Sequence, residues 1–171
     1  MKKCLLTLIT VAGLFAISLP ASAGLINLHA NIDGAQANAG AGTGSAGTGF
    51  AVLDFNDVTN VLNWTVTWSG LSGPVSVAHL HGPALSNQNA GVQVGISNIS
   101  GVAGNTILGA AQATDLLAGL WYVNIHTALN PGGEIRGQVL VGVPEPSTLI
   151  LLGLGLFGLG WQRKRTFALA A

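Results

Sequence analysis

Between residues 24 and 143 the chain alternates apolar and polar positions over and over. Ile26, Leu28, Ala30 and Ile32 alternate with Asn27, His29 and Asn31, and Leu62, Trp64, Val66 and Trp68 with Asn63, Thr65 and Thr67. Val92, Val94 and Ile96 alternate in the same way with Gln93 and Gly95. A period of two puts one set of side chains on a buried face of a β-strand and the other on its opposite face. Phe50 to Phe55, Val75 to His81 and a hairpin over Trp121 to Val141 extend the series. The pattern predicts about seven or eight strands. Only Ala110 to Ala118 reads as a short helix. Short strands separated by Gly, Ser, Asn and Pro favour an all-β fold, an antiparallel, Greek-key-like β-sandwich. About 120 residues suffice for its core.

The hairpin carries most of the polar chemistry. Trp121, Val123 and Ile125 alternate with Tyr122, Asn124 and His126, and the connection ALNPGG supplies the fixed φ of Pro131 and the permissive backbone of Gly132 and Gly133. Its polar face bears Tyr122, Asn124, His126, Arg136 and Gln138, and is expected to be wet or functional. On the strand ending in HLH, His79 and His81 point to one side, Ala78 and Leu80 to the other.

HLHGPA at 79–84, GLWYVNIHT at 119–127 and NPGGEIRGQ at 130–138, in that order, resemble the signature of the CHRD domain, named from the animal protein chordin and widespread in bacteria. The resemblance covers residues 24 to about 141. It implies a β-sandwich-like extracellular module with a poorly defined biochemical activity.

The two ends have a different composition. Lys2 and Lys3, an apolar run from Leu5 to Leu19 and the small residues Ala21-Ser22-Ala23 follow the order of a cleavable secretory signal over residues 1–23. The single cysteine, Cys4, lies inside it. Removal of the signal leaves no thiol for a disulfide, a nucleophile or a metal ligand. At the other end, Pro144-Glu145-Pro146 precedes an apolar stretch from Thr148 to Trp161 and the basic cluster Arg163, Lys164 and Arg165. As a helix that stretch is about 21 Å long, short against a hydrocarbon core of about 30 Å. The terminal tryptophan and the basic stop strengthen a membrane reading. The order resembles the PEP-CTERM sorting signal over 143–171: a sorting motif, a short transmembrane helix and a membrane stop. That resemblance implies an exosortase-type processing enzyme as partner, passage through the inner membrane with transient anchoring, and release to the cell surface or outside. It also suggests an extracellular polysaccharide matrix, or biofilm, as destination. TFALAA after Arg165 departs from the usual end of such signals.

The whole chain is formally neutral, but 24–143 holds five acidic residues, Asp33, Asp54, Asp57, Asp115 and Glu134, and one basic residue, Arg136. Nothing there can track a phosphate backbone, which excludes nucleic acid as a partner. Gly42, Gly44 and Gly47 match GxGxxG, yet a strand follows where a dinucleotide site needs a helix. The segment reads as a flexible or bulged inter-strand connection.

No nucleophile elbow, HExxH or Walker loop is present, and the domain reads as non-catalytic. Asp54 and Asp57 have the wrong spacing for an EF-hand and read as a solvated turn. Glu134 and Arg136 share a strand face and read as a structural cross-strand pair. Trp64 and Trp68 read as core, while Trp121 is ambiguous.

Three readings of the domain remain: a binding or structural module without a cofactor, a small extracytoplasmic metalloprotein, or a passive cargo or spacer whose sequence is constrained only by folding and export. In the second, His79, His81 and His126, joined by His29 if its strand is close, hold copper or zinc. In the first, the same histidines bond to Asn124, Glu134 or backbone carbonyls. The resemblance in outline to copper/zinc superoxide dismutases assigns no reaction.

Overall fold

The computed structural model describes residues 24–142 together with 152, 153 and 155–157. The expected secretory signal, the motif Pro144-Glu145-Pro146 and the stop Arg163, Lys164 and Arg165 lie outside the described residues, as does Trp161. Residues 152, 153 and 155–157 are helical and exposed. No helix among the described residues is long and apolar enough to cross a membrane.

Nine strands, one short α-helix and a single 3-10 turn at Asn38–Gly40 make up the domain: β1 (Leu25–Asp33), β2 (Thr48–Asn56), β3 (Val61–Ser69), β4 (Val75–His81), β5 (Val92–Ile96), β6 (Ala103–Ile107), α1 (Ala110–Leu117), β7 (Tyr122–Thr127), β8 (Ile135–Gln138) and β9 (Leu140–Val141). They pair antiparallel in the order β5-β4-β7-β8-β1-β2-β3-β6, with β9 beside β1. The all-β, antiparallel expectation holds. One continuous sheet curls over, so that the inner faces of β4 and β7 share a core with those of β1, β2 and β3. Leu28, Ala30, Ile32, Leu53, Leu62, Trp64 and Val66 meet Ala78, Leu80, Val123, Ile125 and Ile135 there. These are the apolar positions of the alternation.

Trp121 is fully buried in that core, which settles its role. α1 covers the core with Ala113 and Leu116.

Strand β6 was not predicted, because Ala103-Gly104-Asn105-Thr106-Ile107 has no apolar alternation. It forms as an edge strand on β3 with Gly104 opposite Trp64. A Cβ at Gly104 would stand 2.6 Å from the indole ring, so glycine lets the backbone lie against the tryptophan.

The run after the hairpin turn also differs from one uninterrupted strand. It divides at Val139 into β8, which pairs with β7 and β1, and β9, which pairs with β1 alone. The glycine-rich connection between β1 and β2 is inter-strand as expected, but it is tied down. Thr43 donates from Oγ1 to the Glu134 carbonyl at 2.7 Å, and Ser45 donates from Oγ to the Glu134 carboxylate at 2.6 Å.

Candidate metal centre

Strands β4 and β7 run side by side with His79 opposite Asn124, His81 opposite Tyr122 and Val77 opposite His126. Even-numbered residues of β7 and odd-numbered residues of β4 therefore share the face turned away from the core. His79 and His126 meet edge to face with ring centroids 5.4 Å apart, as do His79 and His81, and His81 lies 5.8 Å from His126.

That face is not wet. Tyr122, Asn124, His126, His81 and Arg136 are all buried. The β4–β5 connection, residues 82–91, covers it, and of the two alternatives expected for this face, wet or functional, burial removes the first, because these side chains bond to the loop backbones. His81 Nδ1 lies 3.0 Å from the Ala90 carbonyl and His126 Nδ1 2.8 Å from the Pro131 carbonyl. A carbonyl oxygen only accepts, so each Nδ1 carries the hydrogen and donates it, leaving each Nε2 with a lone pair. His79 Nδ1, His81 Nε2 and His126 Nε2 are buried without a hydrogen-bond partner. Buried polar atoms without partners need a reason.

Each of the three histidines offers a nitrogen within 4.8 Å of the other two. Around a zinc ion with bonds of about 2.0–2.1 Å, ligand nitrogens stand about 3.3 Å apart, a spacing inside that limit. Burial, with His126 beside it, pushes the His79 pKa down. Burial also lowers that of His81, partly offset by the Ala90 hydrogen bond and reinforced by His79, His126 and Arg136. Neutral imidazole is the form that binds metal. A cleft of about 250 Å³ opens beside His79, lined in part by Gly95 and Ser97.

The other residues singled out from the sequence go elsewhere. His29 lies on the outer face of β1, opposite Val52 and stacked on Phe50, and does not join the cluster. Asp54 faces Asn63 across β2 and β3, while Asp57 is exposed in the turn between them. His79, His81 and His126 are the one group of three or more His, Cys, Asp or Glu donors among the described residues.

Glu134 and Arg136 do not pair with each other as expected. The Glu134 carboxylate accepts from Ser45 Oγ, Ser72 N, Ser72 Oγ and Thr127 Oγ1 at 2.6–2.7 Å. Arg136 lies 3.5 Å over the Tyr122 ring and donates to the carbonyls of Leu85 and Gln88 and to Asn89 Oδ1. The turn ends of β8 send the two charges to different loops. Ser45, Ser72 and Asn89 were missed in the sequence because they sit in irregular segments far from their partners.

A CHRD-domain family model matches residues 28–139, which includes both histidine strands and both buried charges. The chain belongs to the CHRD family. Beyond the CHRD domain, a PEP-CTERM protein-sorting motif matches residues 142–165. The protein is thus an exported, surface-destined CHRD protein that an exosortase sorts. No curated protein and no solved structure gives a significant match to it.

Proposed function

We propose that this CHRD protein is an extracytoplasmic metal-binding module whose centre is a copper or zinc ion held by His79, His81 and His126. One observation carries the reading: three histidines each bring a nitrogen within 4.8 Å of the other two, each ring has a buried nitrogen without a hydrogen-bond partner, and on two of the rings the other nitrogen is bonded to a backbone carbonyl. That is how metal-binding histidines are oriented. An all-imidazole set suits both ions. The tail then delivers the loaded domain to the cell surface or the extracellular polysaccharide matrix, where it acts by binding rather than by turnover.

Elemental analysis of the full chain beside a His79→Ala/His81→Ala variant tests this. Near-stoichiometric copper or zinc that disappears in the variant supports the reading. A wild-type chain that takes up neither ion overturns it and leaves a cofactor-free binding or structural module.

A further inference from the structure

The histidine cluster leaves two buried charges unexplained, and both are linked to it through short chains of hydrogen bonds. Arg136, 1% exposed, fixes the β4–β5 connection through the carbonyls of Leu85 and Gln88, at 3.1 and 2.8 Å, and through Asn89 Oδ1 at 3.2 Å. The next residue, Ala90, is held by the Tyr122 hydroxyl, which accepts from the Ala90 N–H at 3.1 Å. Tyr122 is the ring that Arg136 covers, and His81 stacks parallel to it with centroids 5.1 Å apart. The Ala90 carbonyl is the acceptor for His81 Nδ1.

Glu134, 0% exposed, plays the same part for the hairpin turn. Its carboxylate holds Thr127 Oγ1 at 2.6 Å, and Thr127 in turn accepts from the Asn130 N–H at both its carbonyl and its hydroxyl, at 3.2 and 3.3 Å. The next carbonyl, that of Pro131, is the acceptor for His126 Nδ1. Neither charge has an ion-pair partner among the described residues, and most of the groups that compensate each one belong to loops: Leu85, Gln88 and Asn89 for Arg136, Ser45 and Ser72 for Glu134. Removing either charge frees the loop that supplies a ligand's outer hydrogen bond.

We infer that Arg136 and Glu134 are positioning residues of the metal centre, Arg136 setting the tautomer and orientation of His81 and Glu134 those of His126. This rests on the metal reading for its effect on affinity, but the tautomers themselves are a property of the metal-free chain. Outer partners of metal ligands typically change affinity 10–100-fold when removed.

The test uses the full chain, with Zn(II) alone as probe, and the variants Arg136→Met and Glu134→Gln. Chelator competition gives the affinity, and the imidazole ¹⁵N shifts of the metal-free protein at pH 8 give the tautomers. The expected result is a 10–100-fold weaker zinc affinity in each variant. The Nδ1–H tautomer is lost at His81 alone in Arg136→Met and at His126 alone in Glu134→Gln. A variant that is only destabilised would disturb both histidines or neither.

If either substitution prevents folding, Asn89→Ala and Ser72→Ala remove a single partner of each charge and are read in the same way. Folded variants with both tautomers and the zinc affinity unchanged overturn the inference. A wild-type chain that binds no zinc overturns the metal reading instead, and the tautomer comparison then still decides whether the two charges orient the rings.

Discussion

His126 Nδ1 lies 2.8 Å from the carbonyl of Pro131, within the same hairpin, so the turn that reverses the chain also orients a candidate ligand. A turn residue thereby shapes the candidate metal centre from outside it, and the consequences can be measured.

Metal binding should stabilise the fold. An ion held only by the native state adds about 2.7 kcal/mol at a free concentration 100 times its Kd. Thermal unfolding with and without Zn(II) checks this. The expected rise in Tm is absent from His79→Ala/His81→Ala, and an equal rise in that variant would place the ion elsewhere.

Without metal, stability should fall in mild acid. The folded-state pKa values of His79 and His81 lie below 6.5, through burial first and neighbouring charges second. Between those lowered values and 6.5 the unfolded chain binds more protons than the folded one, so this contribution is complete above 6.5 and is lost as pH falls. Denaturant midpoints from pH 7.5 to 5 should decline in the wild type and decline less in the double alanine variant.

Glu134 governs a second, more acidic window. Burial pushes its pKa up, but the hydrogen bonds from Ser45, Ser72 and Thr127 outweigh burial and bring it from 4.5 down to about 2. Its stabilisation is therefore present above pH 4.5 and lost as pH falls towards 2. Glu134→Gln should cost about 1–3 kcal/mol at pH 7, because its amide cannot accept from every hydroxyl that the carboxylate serves. It should also flatten the acid limb of an unfolding titration, and an unaltered limb would count against this account.

Gly133 is fixed by space as well as by conformation. It has φ +116, and a Cβ there would run into the Asn124 side chain. Gly133→Ala should displace Asn124 from the Gly132 carbonyl, to which it donates at 3.1 Å, and cost about 1–3 kcal/mol. The same change at Gly73, where a Cβ meets nothing within 4 Å, should be nearly neutral, and denaturant unfolding of the two variants compares them directly.

The tail makes a separate prediction in the cell. Replacing Glu145 with Ala in the matched sorting motif should leave unprocessed protein in the membrane fraction. Fractionation and intact mass measure it, and normal release of the variant would show that sorting does not depend on that residue.

The sequence by itself determined the strands with strong alternation, the hairpin, the short helix, the pairing of His79 with His81 on one face, and the sorting signal at the C-terminal end. Each is a local property, set by side-chain period or by composition along a continuous stretch. The tertiary structure decided that His126 joins that pair while His29 does not, since the choice depends on β7, rather than β1, lying beside β4. It also decided that the polar face is buried, that β6 forms at all, and that Glu134 and Arg136 part company. Ser45, Ser72 and Asn89 reach those charges across long stretches of chain, and hydrogen bonds between irregular loops leave no periodic trace in the sequence.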